Sequence, residues 1–435
     1  MQRQAMNDLI SWKNRPDRKP LLLRGGRQVG KTWLMREFGR LHFDKAAYVN
    51  FDDNERMAAL FNGDLSIERL ITSLQIETGT VITPADTLLI FDEIQEVPRA
   101  LTSLKYFNEN APEYAIVSAG SMLGVALHQG TSFPVGKVDF LDLYPMSFPE
   151  FLDAAANERL TDLIRAEHPD FETITAFKGK FIDALKQYFY IGGMPEAVSA
   201  FIQRRDFTEV RRIQMRLLEA YSQDFSKHAP NETVPRINAL WNSIPAQLAR
   251  ENRKFIYGLI RDGARARDYE LAMQWLLDCG LIHKVNRITK PDMPLMAYID
   301  QNAFKLYFLD VGLLSAKADL DLKTLLEGNR VFEEFKGALT EQYVHQQLLS
   351  ECKLRPHYWT AERAMAEVDF VYQNGSDIIP LEVKAKENLK AKSLRQYFDK
   401  FQPRYALRAS MSDYRKENWL INVPLYAVAS ILTLG

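Results

Sequence analysis

The stretch LLLRGGRQVGKTW, residues 21–33, carries the first reading of this chain. Its three leucines form a short apolar run that suits a strand buried on both faces, and the residues from Lys31 onward open an amphipathic run with helical period. Between them Gly25, Gly26, Arg27, Gln28, Val29, Gly30, Lys31 and Thr32 satisfy G-x-x-x-x-G-K-[ST] in a strand, loop, helix context. The glycines let the backbone wrap closely around a polyphosphate, while the loop and the helix start aim amide groups at its oxygens. Lys31 brings a point charge, and the Thr32 hydroxyl suits Mg²⁺. Residues Gly25 to Trp33 are therefore expected to hold a nucleotide.

A second stretch, TLLIFDEIQ at residues 87–95, is an apolar strand that ends in two acids. A carboxylate at the tip of a buried strand is where Mg²⁺ finds a partner, and a neighbouring glutamate can orient or deprotonate an attacking water. The expected metal partner is Asp92, together with Thr32, and the expected base is Glu93. A third run, YAIVSAGSMLG, ends in small polar residues, and Ser121 there suits either contact with a terminal phosphate or a plain turn. Arg99 and Lys137 are candidates for charge neutralisation, with surface solvation as the blander reading.

The chain has 435 residues, too many for one hydrophobic core, and is 46% hydrophobic and 26% charged, as globular proteins are. A formal net charge of -1 gives no overall attraction to nucleic acid or to an anionic membrane, so such binding must come from local patches. Cys279 and Cys352 lie far apart without zinc-site spacing, which suits two reduced thiols. The opening MQRQAMNDLISWKNRPDRK lacks an apolar core, and no apolar run is long enough to span a bilayer. A cytoplasmic protein without a membrane partner is the expectation.

The overall pattern predicts an α/β multidomain chain. Apolar strands alternate with amphipathic helices up to about residue 140, which predicts a parallel sheet in a first domain, 1–145. Helical patterns then dominate a second domain, 146–327, in which RARDYELAMQWLLDCGLIHKVNRITKPDMPLMAYI reads as a helix followed by a hairpin, the order of a winged helix. Arg253, Lys254, Arg261, Arg265 and Arg267 precede or begin that helix, as a DNA face or merely a solvated one. YIGGMPEAV reads as a helix terminator with a packing role. A third domain, 328–435, returns to mixed α/β.

That third domain carries a second constellation. Glu341 lies on its first helix, Asp369 in EVDFVYQ, and Glu382 and Lys384 two apart in LEVKAK, on one face of a strand. Two carboxylates converging on a hard cation, with a lysine beside them to orient water, make a metal-dependent phosphodiesterase site. Glu341, Asp369 and Glu382 are the expected metal ligands, and Asp369, Glu382 and Lys384 the expected catalytic groups. Residues 384–416 also hold ten basic residues against three acidic ones, a bias that suits a phosphate backbone.

LLLRGGRQVGKTW, LLIFDEIQ, DLYPMSFPEFL, YIGGMPEAV, YFLDVGLL and VDFVY…IPLEVKAK, in this order, resemble a family of prokaryotic AAA+-type ATPases. In that family a helical lid and winged helix are followed by a restriction-endonuclease-like, PD-(D/E)xK domain of unknown function. The resemblance implies ATP and Mg²⁺ at Gly30, Lys31, Thr32, Asp92 and Glu93, and a nuclease-type site at Glu341, Asp369, Glu382 and Lys384. DNA is the implied polymer. Where relatives carry Gly-Arg this chain reads Gly136-Lys137, which leaves any arginine finger, and with it a homo-oligomer, open. Two functions follow as expectations: an ATPase that gates a nuclease-like domain on DNA, or a nucleotide-dependent module whose nuclease-like fold binds without cutting.

Overall fold

The computed structural model describes residues 2–120, 134–250, 254–323, 333–361, 366–385 and 391–434, with side chains of the helix Glu333–Ser350 described from residue 336. The chain divides into two compact units. One comprises Gln2–Tyr144 with Asp278–Gly280; the other comprises Pro145–Leu277 and Leu281–Gly435.

The first unit is built on strands β1 (Leu21–Arg24), β2 (Lys45–Asn50), β3 (Thr87–Asp92), β4 (Ala115–Ala119) and β5 (Asp139–Asp142), in the order β2-β3-β4-β1-β5. Every pairing is parallel. Helices Lys31–His42, Glu55–Asn62, Ile67–Thr78 and Pro98–Asn110 make the crossovers. The central strand β3 is buried at all six positions, which explains its unbroken apolar sequence. Strand β5 has no such signature, because DFLD is short and half acidic. Its acids are instead matched locally: Arg24 reaches Asp142 through two bonds of 2.9 and 3.1 Å, and the Lys19 amide donates to Asp139.

In the second unit, helices from Phe148–Ala154 to Ala266–Asp278 precede an eight-stranded mixed sheet. Its strands are β6 (Ile282–Ile288), β7 (Ile299–Phe308), β8 (His357–Thr360), β9 (Glu367–Asn374), β10 (Asp377–Val383), β11 (Ala406–Ser410), β12 (Arg415–Lys416) and β13 (Leu420–Pro424), ordered β12-β13-β11-β10-β9-β8-β6-β7. The β6–β7 hairpin that the sequence places in a middle domain pairs in parallel with β8, through Arg287 opposite Tyr358 and Ile288 opposite Trp359. One sheet thus runs across residue 327, where the sequence pattern changes. The final apolar run is a strand only to Pro424; Leu425–Thr433 continues in 3-10 turns.

Three of the quoted stretches meet around Asp310. Gly192 ends the helix Lys178–Ile191 at φ +74°, and the amide of Gly193 donates to Asp310 Oδ2 at 2.6 Å. A Cβ on Gly193 would stand 2.0 Å from the Met146 carbonyl oxygen. Asp310 also accepts from the amide of Leu313 and the side chain of Gln346, and burial raises its pKa. YIGGMPEAV, DLYPMSFPEFL and YFLDVGLL therefore mark a close-packed knot of buried backbone groups and their acceptors.

Candidate functional sites

In the first unit the loop after β1 and the acids after β3 both lie at the carboxyl edge of a parallel sheet, the usual place for ligands in such sheets. Gly25 has φ +140°, and a Cβ there would stand 2.0 Å from the Leu143 carbonyl oxygen. Gly30, at φ +97°, precedes the helix Lys31–His42. Between them Arg27 and Gln28 are exposed, whereas Val29 is buried and its carbonyl accepts from Arg3 at 3.0 Å. Trp33 is exposed. Lys31 is 7% exposed and donates to the carbonyls of Gly25 and Gly26 at 2.9 and 2.8 Å. Burial pulls its pKa down to about 8, against the opposing pull of Glu93 and Asp92.

Thr32 Oγ1 donates to Asp92 Oδ2 at 2.7 Å, so the loop and the β3 tip meet directly. Glu93 sits in the left-handed region at φ +49°, and Gln95 donates to its Oε2 at 2.7 Å. The donor set fits the group that the sequence implies: a hydroxyl and a carboxylate suit a hard cation, and a buried ammonium suits a polyphosphate. Of the other candidates, Ser121 lies outside the described residues. Arg99 donates to the carbonyls of Phe61 and Gly63, and Lys137 pairs with Glu109 at 2.9 Å. Both cations thus have local structural partners.

In the second unit the structure brings Asp369, Glu382 and Lys384 together. The Val383 amide donates to Asp369 Oδ2 at 2.7 Å, and Lys384 Nζ stands 2.8 Å from Glu382 Oε1. Glu382 is buried, and its Oε2 has no hydrogen-bond partner. Burial raises its pKa against the pull of Lys384, and nearby Asp369 adds to the rise. Glu341 has other partners. Its Oε1 accepts from Lys305 at 3.0 Å and from Tyr307 at 2.5 Å, and Lys305 also meets Glu367 at 2.6 Å. Among the described residues, no group of three or more His, Cys, Asp or Glu is placed to hold a metal ion. Nor is any described helix long and apolar enough to cross a membrane.

Residues 17–152 match the family described as AAA domain. Those residues are an AAA-type ATPase domain. Residues 182–324 and 336–427 match two families described as domains of unknown function, DUF8612 and DUF4143. No curated protein matches the chain. Among solved structures, the chain is similar to the Walker-type ATPase PABY2304 of Pyrococcus abyssi, with 15% identity, 72% of this chain and 95% of that chain covered, and a TM-score of 0.43. The Aeropyrum pernix ORC1 protein in complex with DNA is 14% identical, with 74% and 93% covered and a TM-score of 0.27. RuvB of Thermotoga maritima is 16% identical, with 64% and 85% covered and a TM-score of 0.25.

Within the AAA-type ATPase domain the sequence reading overlooks Tyr48. Its hydroxyl donates to Asp92 Oδ2 at 2.9 Å, and the Arg36 guanidinium lies 3.8 Å over its ring. Tyr48 sits two residues before the end of β2, and only the pairing of β2 with β3 reveals its reach. Outside the ATPase domain, Lys305 and Glu367 are also overlooked. A signal existed for Lys305, the one cation in the buried run AFKLYF. A charge in such a run must find a counter-charge.

Proposed function

We propose that this protein is a Mg²⁺-dependent ATP hydrolase whose nucleotide state governs a nuclease-like segment acting on DNA. The observation that carries the ATPase half is the contact of Thr32 with Asp92 beside a buried Lys31. When bound, Mg²⁺-ATP supplies an activated phosphoanhydride. Lys31, which donates to the Gly25 and Gly26 carbonyls, would neutralise phosphate oxygens, the amides of Gly26 to Thr32 would hold the polyphosphate, and Thr32 with Asp92 would hold the cation. Glu93, fixed by Gln95, orients water and takes its proton.

The nuclease-like half rests on the buried, unpartnered Oε2 of Glu382 beside Asp369 and Lys384. A carboxylate oxygen taken from water without a donor is costly, and a cation resolves that cost. One observation favours the non-cutting reading: Glu341, the third acid of the expected set, is held by Lys305 and Tyr307. The test is ATP turnover with and without single- and double-stranded DNA, with the DNA scored for cuts in Mg²⁺ or Mn²⁺. Turnover abolished by Lys31→Ala, and cuts abolished by Asp369→Ala, are expected. ATP turnover that survives Lys31→Ala sinks the first half, and DNA left intact selects the binding reading.

A further inference from the structure

A row of polar residues crosses one face of the second unit's sheet at a single level. Leu381 pairs with Phe370, so Glu382 stands opposite Asp369 one step further along. Glu382 pairs with Arg408, Arg408 with Asn422, and Asn422 with Arg415. Paired residues on adjacent strands project from the same face. The same face, at alternate positions such as Val371, Ala406 and Leu420, packs in a core with Leu394 and Tyr397 of the helix Lys392–Phe401. The polar row is where that apolar packing stops.

Arg408 is 2% exposed yet held in a fixed orientation. Its Nε donates to Asn422 Oδ1 at 2.9 Å, and Ser410 donates to the same oxygen at 2.7 Å. Asn422 Nδ2 in turn donates to the carbonyls of Ser412 and Asp413, which fixes the amide with its oxygen toward Arg408. Arg408 also lines an open groove of about 850 Å³ with Lys392, Arg395, Lys400 and Trp419. Asp399 pairs with Arg395 at 2.8 Å and Glu417 with Arg415 at 3.1 Å, and Glu382 and Glu417 both also act on the Arg408 guanidinium. The Arg395 guanidinium lies 5.1 Å over the Trp419 ring.

We propose that the groove binds the phosphodiester backbone of a nucleic-acid strand, with Arg408 as phosphate anchor. A pre-oriented guanidinium suits a phosphate. Register puts the anchored phosphate next to Glu382, Asp369 and Lys384. The inference rests on the nuclease-like reading of those three residues for its purpose, but not for its binding.

The experiment uses the full chain in EDTA without nucleotide, titrated with fluorescein-labelled single- and double-stranded DNA and RNA over a salt series and followed by anisotropy. Binding with a linear log K against log salt is expected, and Arg408→Gln should lower affinity about tenfold and reduce the slope by about one. No binding at low salt, or an unchanged slope in Arg408→Gln, overturns the proposal. Should Arg408→Gln fail to fold by circular dichroism, the exposed pair Lys392→Glu with Lys400→Glu carries the test, and wild-type affinity in that variant overturns it. Since EDTA prevents cutting, strands bound here but intact with Mg²⁺ or Mn²⁺ sink the nuclease reading alone.

Discussion

Lys31 shows how one side chain can be legible in sequence and still hold a surprise. The spacing of the loop identifies it, because a polyphosphate needs glycine, ammonium and hydroxyl at fixed positions along the chain. Its depth and its grip on the Gly25 and Gly26 carbonyls are tertiary facts. Burial lowers its pKa from the ordinary 10.5 to about 8. Between those two values the unfolded chain holds a proton that the native state has lost, so this group's contribution to stability rises with pH across that window. Nucleotide affinity runs the other way, since a phosphate needs the protonated form. We expect ATP affinity to be flat below about pH 8 and to fall by up to tenfold per pH unit above it, until the pH passes the higher pKa that the ammonium has beside bound phosphate. Calorimetric titration across that range checks this, with Lys31→Met as the control that should be weak and flat. A wild-type profile level to about pH 9.5 would show that Lys31 keeps its ordinary pKa in the free protein, and a Lys31→Met variant that binds as tightly as wild type would remove Lys31 from the phosphate contacts. Tyr48 teaches the reverse lesson: nothing in its local sequence announces a bond to Asp92, because that bond depends on which strand lies beside β3.

At the scale of elements, strand β7, the helix Glu333–Ser350 and strand β9 are tied by one buried ammonium between two carboxylates. Lys305 is fully buried, Glu341 likewise, and Glu367 is partly exposed. Such a triad costs desolvation to build, so it is weak evidence for net stability, but breaking it from one side leaves uncompensated charge. We expect Lys305→Met to destabilise the protein by about 3–5 kcal/mol in urea unfolding. Adding Glu341→Gln and Glu367→Gln should recover much of that loss, because no unpaired charge then remains. If the single variant loses less than about 1 kcal/mol, the buried ion pairs are not formed in solution. Period and composition made many of these elements visible: β1, β3, β4, β6, β9 and β10 lie where apolar runs and turn residues place them, whereas the hairpin's second strand is Ile299–Phe308, beyond the stretch ending at Ile299 in which the sequence pattern places it, and Leu295–Tyr298 is a 3-10 turn. Strand β5 was hidden because edge strands need no continuous apolar face, and its acids serve Arg24 and the Lys19 amide. Glu341 was legible as a special acid, but its partners were not, since both lie on β7.

At the scale of the whole chain, the sequence suggests three domains where the contacts form two units. The difference lies in the pairing of β6 with β8, a contact between strands about seventy residues apart that no local period can signal. Two units make the proposed gating a question of coupling, and coupling obeys a strict rule. If bound nucleotide changes the affinity of the second unit for a nucleic-acid strand by some factor, the strand must change nucleotide affinity by the same factor. Gating of useful size corresponds to a factor of about 5 to 150. Both halves are measurable on one preparation, as strand affinity with and without a non-hydrolysable ATP analogue and analogue affinity with and without saturating strand. Equal changes of the same sign on both arms of that cycle, lost together in Lys31→Ala, are what a nucleotide-driven switch requires. Two affinities that ignore each other would leave an ATPase and a strand-binding groove on one chain with no gate between them, and a protein partner would then have to supply the link.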